Sequence, residues 1–172
     1  MNKIGTLWVV GGGNMGGALL SRWAEAASAE TIVVIDPADI TVPDGAHHVR
    51  DVMTAGPAPD VVVLAVKPHH VEQVCPPLAS FLADHTLIVS VMAGVALSNL
   101  TVANPTGTMI RAMPNTPAQV GKGATGLFAP DLNDDRRDAI TNLFAAAGSV
   151  HWLTDEAQFD ALTGVSGSGP AY

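Results

Sequence analysis

The chain has 172 residues, room for one good-sized domain, or for a domain and the start of a second. Apolar residues make up 48% and charged residues only 14%, which favours a large buried core and argues against disorder. The formal charge of −8 comes with no basic cluster, which argues against nucleic acid or an anionic membrane as partner.

Ile4 to Val10 is an apolar run that stops at Gly11, Gly13 and Gly16, in the spacing G-x-G-x-x-G. Ala18, Leu19, Leu20, Trp23 and Ala27 follow at helical spacing. The order is strand, glycine turn, helix, and each glycine then has a task. Gly11 allows a tight exit from the strand, Gly13 lets a pyrophosphate approach the backbone, and Gly16 lets the helix pack closely on the strand. The free N–H groups of that helix, with the positive end of its dipole, would face the phosphates. With so few basic residues, backbone donors must do most of this work.

Thr31 to Ile35 is β-branched and apolar on both faces, as in a parallel strand covered on both sides, and it ends at Asp36-Pro37. Asp36 lies 20 residues after Gly16, where dinucleotide folds place the acid that bonds the adenosine ribose. A turn-initiating Asp before Pro is the plainer alternative. No Lys or Arg follows until Arg50, so the sequence leans towards NAD over NADP. Residues 38–59 predict a brief strand at Ala46 to Val49 and a turn of helix near Val52. The pairs His47-His48 and His69-His70 lack a carboxylate or Cys at ligand spacing, so no metal is expected.

Asp60 to Val66 reads as a buried strand running into Lys67-Pro68, where Pro68 can open a helix. Val71, Val74, Leu78, Phe81 and Leu82 have helical spacing, although Pro76-Pro77 should kink or split that helix. Lys67 stands at a strand's carboxyl end, either against a ligand or simply solvated. Thr86 to Val91 is a further strand, ending at Met92-Ala93-Gly94. A short helix over 97–102 and a strand over 108–112 precede Met113-Pro114-Asn115-Thr116-Pro117, a rigid loop more useful to a site than to a linker. A strand at 125–128 and a helix over 131–147 follow. The helix is capped by Asn133 or Asp134, faces inward through Ile140, Leu143 and Phe144, and ends at Gly148. Ser149 to Leu153 suits an edge strand, and a final helix runs from Thr154 through Leu162. The last residues, Ser166-Gly167-Ser168-Gly169-Pro170-Ala171-Tyr172, look like a loop and the first turn of another helix.

These elements predict a doubly wound, Rossmann-type α/β fold with a mostly parallel sheet and helices on both faces. Residues 1–163 would form the dinucleotide-binding domain and 164–172 the start of a helical one. Four strand ends, Gly11–Gly16, Asp36, Ala65–Pro68 and Ser90–Gly94, should converge on one edge. The lone Cys75 suits a reducing compartment. No apolar stretch approaches the ~18 residues of a membrane span, and there is no signal-peptide profile, so the expected location is cytoplasmic.

Gly11-Gly12-Gly13-Asn14-Met15-Gly16, Ala65-Val66-Lys67-Pro68, Val89 to Gly94, Arg111 to Ala118 and Gly164 to Tyr172 together resemble pyrroline-5-carboxylate reductase, in order along the chain. The resemblance implies reduction of the cyclic imine 1-pyrroline-5-carboxylate to proline, with NADPH or NADH as donor. It places cofactor contacts on Val10, Gly11, Gly12, Gly13, Asn14 and Met15, on Asp36, on Ala65, Val66, Lys67 and Pro68, and on Val91, Met92 and Ala93. It sets Asn115 and Thr116 beside the nicotinamide, with Ser166 and Ser168 as further substrate-side candidates. The chemistry needs little machinery, since a protonated imine is already an electrophile. Two departures stand out. An acid at Asp36 would repel a 2′-phosphate, where many relatives carry a small polar residue. The helical domain that forms the dimer and much of the substrate pocket is absent, so cofactor binding with little turnover is expected. Another imine or 2-oxo-acid reductase and a non-catalytic NAD(P)-binding module are the competing readings.

Overall fold

The central strands form where β-branched and apolar residues follow one another, as at residues 7–10 and 32–35 and at Val61–Leu64. In the computed structural model, which describes residues 3–103 and 107–167, they join in one sheet. The strands are β1 (Ile4–Val10), β2 (Ala29–Ile35), β3 (Ala46–Val49), β4 (Val61–Leu64), β5 (Leu87–Ser90), β6 (Thr108–Met113), β7 (Gly123–Phe128) and β8 (Gly148–Trp152). Their spatial order is β3-β2-β1-β4-β5-β6-β7-β8. Every neighbouring pair is parallel except β6 and β7, which are antiparallel. The helices are α1 (Asn14–Glu25), α2 (Val71–Ala79), α3 (Leu97–Ala103), α4 (Asp134–Ala145) and α5 (Gln158–Leu162).

Successive strand residues point to opposite faces, and both faces are covered. Leu7, Val9, Val34, Val63 and Ile110 pack with Leu19 and Trp23 of α1 and with Ile140, Leu143 and Phe144 of α4. Trp8, Val10, Val33, Val62 and Ile88 pack with Cys75 and Leu78 of α2 and with Leu97 and Leu100 of α3. Each fully buried side chain of this size contributes about 1.5–3 kcal/mol, so the covered strand positions are mainly apolar, with Ser90 of β5 and Thr125 of β7 as buried polar exceptions. One aromatic contact and one hydrogen bond lock α1 to α4: the Trp23 and Phe144 rings meet edge to face at 5.7 Å, and the Trp23 indole N–H donates to the Leu143 carbonyl at 2.9 Å.

The structure departs from the sequence expectation at four places. α2 runs through Pro76 and Pro77 without a break. Both prolines lie on its exposed side with Glu72 and Gln73, whose carbonyls lose their helical donors and are left to water. β4 stops at Leu64, because the Ala65 carbonyl turns beneath Gly11 where the chain leaves the sheet. α4 ends at Ala145, and Gly148 opens β8 instead: its φ is +141°, and a Cβ there would collide with the Gly123 carbonyl of β7. The last helix begins at Gln158, since Gln158 and Asp155 side chains first hold residues 154–157 in turns. The α4 cap is Asn133, whose Oδ1 accepts the Arg136 N–H at 2.9 Å. No described helix is long and apolar enough to cross a membrane.

Candidate functional site: the carboxyl edge of the sheet

Val49, Ile35, Val10, Leu64, Ser90 and Arg111 are register partners across β3, β2, β1, β4, β5 and β6, so the parallel strands end nearly level. Backbone bonds carry the ladder one residue further. Asp36 N–H donates to the Val49 carbonyl at 3.0 Å, Gly11 to Ile35 at 2.9 Å, Ala65 to Val10 at 2.8 Å and Val91 to Leu64 at 3.1 Å. The four expected loop starts are thus adjacent along one edge, in the order Asp36, Gly11, Ala65, Val91. In an open parallel sheet this is the side on which ligands bind.

Gly11 leaves β1 with φ +98°, and a Cβ there would sit 2.6 Å from the Ala65 carbonyl oxygen. A Cβ on Gly16 would collide with the Gly11 carbonyl, so α1 can seat on β1 only with glycine there. Gly13 differs: nothing lies within 4 Å of where its Cβ would be. Gly13 is the N-cap of α1, makes no side-chain cap bond, and is followed by no acid in the first turn. Open space therefore lies over Gly13, beside the N–H groups that begin a 12-residue helix, and their polarity suits a phosphate.

Asp36 is half-buried at the end of β2, and both carboxylate oxygens are engaged. Oδ2 accepts the Gly12 N–H at 2.8 Å and Oδ1 accepts the Ala38 N–H at 2.9 Å. Each oxygen keeps a further lone pair. The Gly12 N–H is spent on this bond and is not available to a phosphate. The end of the Ile40 side chain lies over Gly12, and the His48 ring Nε2 lies 2.9 Å from the Asp36 carbonyl. Arg50, just past β3, is ion-paired with Asp39. None of Ile40, His48, Asp39 and Arg50 stood out in the sequence as site residues. Arg50 was only the nearest basic residue, and β3 pairing on β2 is what brings it beside the Asp36 loop.

Lys67 is exposed and extended, and its carbonyl accepts the His70 N–H at 2.9 Å as Pro68 opens a 3-10 turn over Pro68–His70. Val91 is half-buried and Ala93 exposed, while Met92 is 3% exposed and its N–H lies 3.3 Å from the Ser90 hydroxyl oxygen. Beyond Pro68 and Gly94, α2 and α3 flank a cleft of about 750 Å³ that also touches His69, Glu72 and Asn99.

Because β7 runs back along β6 with Phe128 opposite Arg111, its first residues extend past the level edge and form a side wall. Asn115 belongs to this wall: its Oδ1 accepts the Ala124 N–H at 2.8 Å. Thr116 is exposed and opens a 3-10 turn, Thr116–Val120, that packs against α1. The Thr163 hydroxyl donates to Met113 Sδ at 3.1 Å, which brings the end of α5 against the Met113–Pro117 segment. Ser166 lies in a π-turn over Thr163–Gly167, with its side chain outside the described residues, as is all of Ser168 to Tyr172. Among the described residues, no group of three or more His, Cys, Asp or Glu side chains could hold a metal ion.

A level parallel edge, a glycine turn pressed against the Ala65 carbonyl and an uncapped α1 define a Rossmann-type fold, whose carboxyl edge is the side on which such sheets bind nucleotides. The chain belongs to the family described as NADP oxidoreductase, coenzyme F420-dependent, which it matches over residues 6–94. It is 37% identical to the pyrroline-5-carboxylate reductase of Haemophilus influenzae over 174 aligned positions, covering 95% of this chain and 63% of that protein. The structure of a pyrroline-5-carboxylate reductase from Coxiella burnetii superposes with a TM-score of 0.87 at 32% identity, over 99% of this chain and 66% of that one. Plasmodium falciparum pyrroline carboxylate reductase, crystallised with NADP bound, gives a TM-score of 0.88 at 26% identity, over 100% of this chain and 65% of that one. The resemblance read from the motifs is borne out. The chain spans about 63% of the length of the Haemophilus influenzae and Pseudomonas aeruginosa pyrroline-5-carboxylate reductases that it matches.

Proposed function

We propose that this chain is the nucleotide-binding part of a reductase that converts 1-pyrroline-5-carboxylate to proline. The observation that carries the reading is the open space over Gly13 at the uncapped start of α1, on the same sheet edge as the Asp36, Ala65 and Val91 loops. A reduced nicotinamide nucleotide, when bound, supplies the hydride that the imine carbon accepts.

The chain's residues hold and aim that nucleotide. The N–H groups of Asn14, Met15 and Gly16 take the pyrophosphate. The spare lone pairs of Asp36 accept the two hydroxyls of the adenosine ribose, and a 2′-phosphate would meet the same carboxylate at close range, so NADH is favoured over NADPH. Ala65–Pro68 and Val91–Ala93 line the path towards the nicotinamide, with Gly12 and Met92 contributing backbone surface only. Asn115 and Thr116, on the side wall, border the ring. Anchoring Asn115 Oδ1 on β7 leaves its amide N–H₂ to donate towards that side. No acid–base pair is assigned, because a protonated imine needs placement more than activation.

The remaining length found in the relatives would supply the imine pocket and the contact between subunits, and a homo-oligomer in the cytoplasm is the expected working form. The deciding experiment titrates NADH and NADPH into the 172-residue chain by fluorescence and measures imine reduction in parallel. We expect binding of both, tighter for NADH, with slow or no turnover by these residues alone. Failure of either nucleotide to bind would overturn the reading.

A further inference from the structure

The Asp39–Arg50 ion pair has no evident structural task. Its side chains are 84% and 62% exposed, and exposed pairs add little to stability. Its position is specific all the same. Asp36 N–H bonds the Val49 carbonyl at 3.0 Å, so Arg50 starts one strand away from Asp36 on the same edge, and Asp39 follows Asp36 closely in the β2–β3 connection. The loop itself is held down: Asp36 bonds Gly12 and Ala38, and Ile40 lies on Gly12. The pair therefore spans the mouth between the β2 and β3 ends, on the flank of the acid that we assign to the ribose.

The other basic side chains stand elsewhere. Lys3 is at the amino end of β1, Arg22 pairs with Glu25 on α1, Lys67 follows β4, and Arg111 pairs with Glu156. Lys122, Arg136 and Arg137 belong to the β7–α4 half. Arg50 is thus the cation placed to meet a phosphate on the ribose, and Asp39 occupies it. With Asp36, Asp39 and Arg50 together, the flank carries one excess negative charge.

Resting on the nucleotide-site reading above, we infer that Asp39 is a specificity-determining residue: by holding Arg50 it withholds the guanidinium from a 2′-phosphate and so selects the unphosphorylated dinucleotide. Discrimination here comes from an element set against the wrong ligand as much as from one favouring the right ligand. A 2′-phosphate would have to break the Asp39–Arg50 pair and then sit beside two carboxylates. A ribose hydroxyl asks for neither.

The test measures dissociation constants for NADH and NADPH, without any turnover, on the wild-type chain and on Asp39→Asn, Arg50→Met and the double variant. In Asp39→Asn, NADPH should bind about tenfold more tightly relative to NADH, the scale of one charge-assisted guanidinium–phosphate contact. The gain should shrink as salt is raised. NADH affinity should stay within about threefold of wild type, which also reports that the variant is folded. Arg50→Met should leave the wild-type ratio nearly unchanged, and the double variant should lose the gain. An unchanged ratio in Asp39→Asn, or a gain that survives in the double variant, overturns the inference while leaving the nucleotide site intact. Wild-type chain that binds neither nucleotide overturns the underlying reading instead.

Discussion

Gly16 lies directly beneath the carbonyl of Gly11, so close that a Cβ at position 16 would overlap the oxygen. Gly13, three residues earlier, has nothing within 4 Å of its would-be Cβ and a φ of −70° that any residue can adopt. Alanine at the two positions should separate folding from binding. Gly16→Ala is expected to lower stability by about 1–3 kcal/mol in urea denaturation, through an overlap that only backbone movement relieves. Gly13→Ala should stay within about 1 kcal/mol of wild type yet weaken NADH binding at least tenfold, because the methyl fills the phosphate seat.

The two buried tryptophans of the first 25 residues should respond unequally to loss of the indole nitrogen. Trp23 Nε1 is bonded to the Leu143 carbonyl, whereas Trp8 Nε1, equally buried, has no partner. Trp23→Phe strands a buried carbonyl. Trp8→Phe removes a donor that folding had already deprived of water. Both lose similar volume, so denaturation should find Trp23→Phe the more costly by about 1–3 kcal/mol, the penalty for an unsatisfied polar group. Equal losses would rule this account out.

At the end of α1, Ser28 N–H bonds the Trp23 carbonyl at 3.0 Å and Ala27 N–H bonds Ala24 at 3.2 Å. This is a Schellman closure, yet the left-handed position is Ala27, at φ +48°, where glycine is the usual occupant. Ala27→Gly should raise stability by about 0.5–1 kcal/mol, the relief of left-handed strain less the added freedom of the unfolded chain. A rise in thermal midpoint without change in NADH affinity is the expected readout.

Much of the site was legible in the sequence for one physical reason. A strand covered on both faces is mainly apolar, so a small or polar residue just beyond it marks its end, and Gly11, Asp36 and Ala93-Gly94 are such marks. The glycine spacing was legible because Gly11 and Gly16 answer to backbone sterics, which depend on local chain geometry. What stayed hidden depends on register or on solvent. The prolines of α2 are tolerated because they face water, a property of the packed helix that no local pattern reveals. Gly148 looked like a helix end, and only its collision distance from Gly123 on β7 shows that it starts a strand. The Asp39–Arg50 pair needs β3 to lie on β2 in one particular register before 11 residues of separation become contact. The reversal of β7 is likewise invisible in a run of six residues.

Arg111 ties the parallel half of the sheet to α5. Its guanidinium bonds Glu156 Oε1 at 3.0 Å and lies 4.3 Å from the centre of the Phe159 ring, while the same carboxylate oxygen accepts the Leu97 N–H at the start of α3. Arg111→Met would leave a half-buried carboxylate with one backbone partner. We expect a loss of about 1–3 kcal/mol and faster amide exchange across residues 155–163, with β1 and β4 still protected. Exchange rates unchanged in that segment would show that Phe159 burial alone holds α5.

The strand order also dictates when nucleotide recognition can arise during synthesis. β1 is made first but lies between β2 and β4, and the wall against which Gly11 is pressed is the carbonyl of Ala65. A nascent chain holding only residues 1–55 carries every glycine of the turn and even Asp36, yet lacks the surface that gives the turn its shape. Competence therefore awaits the docking of β4 on the open edge of β1. That docking, a contact between distant parts of the chain, is the slow event to look for in refolding.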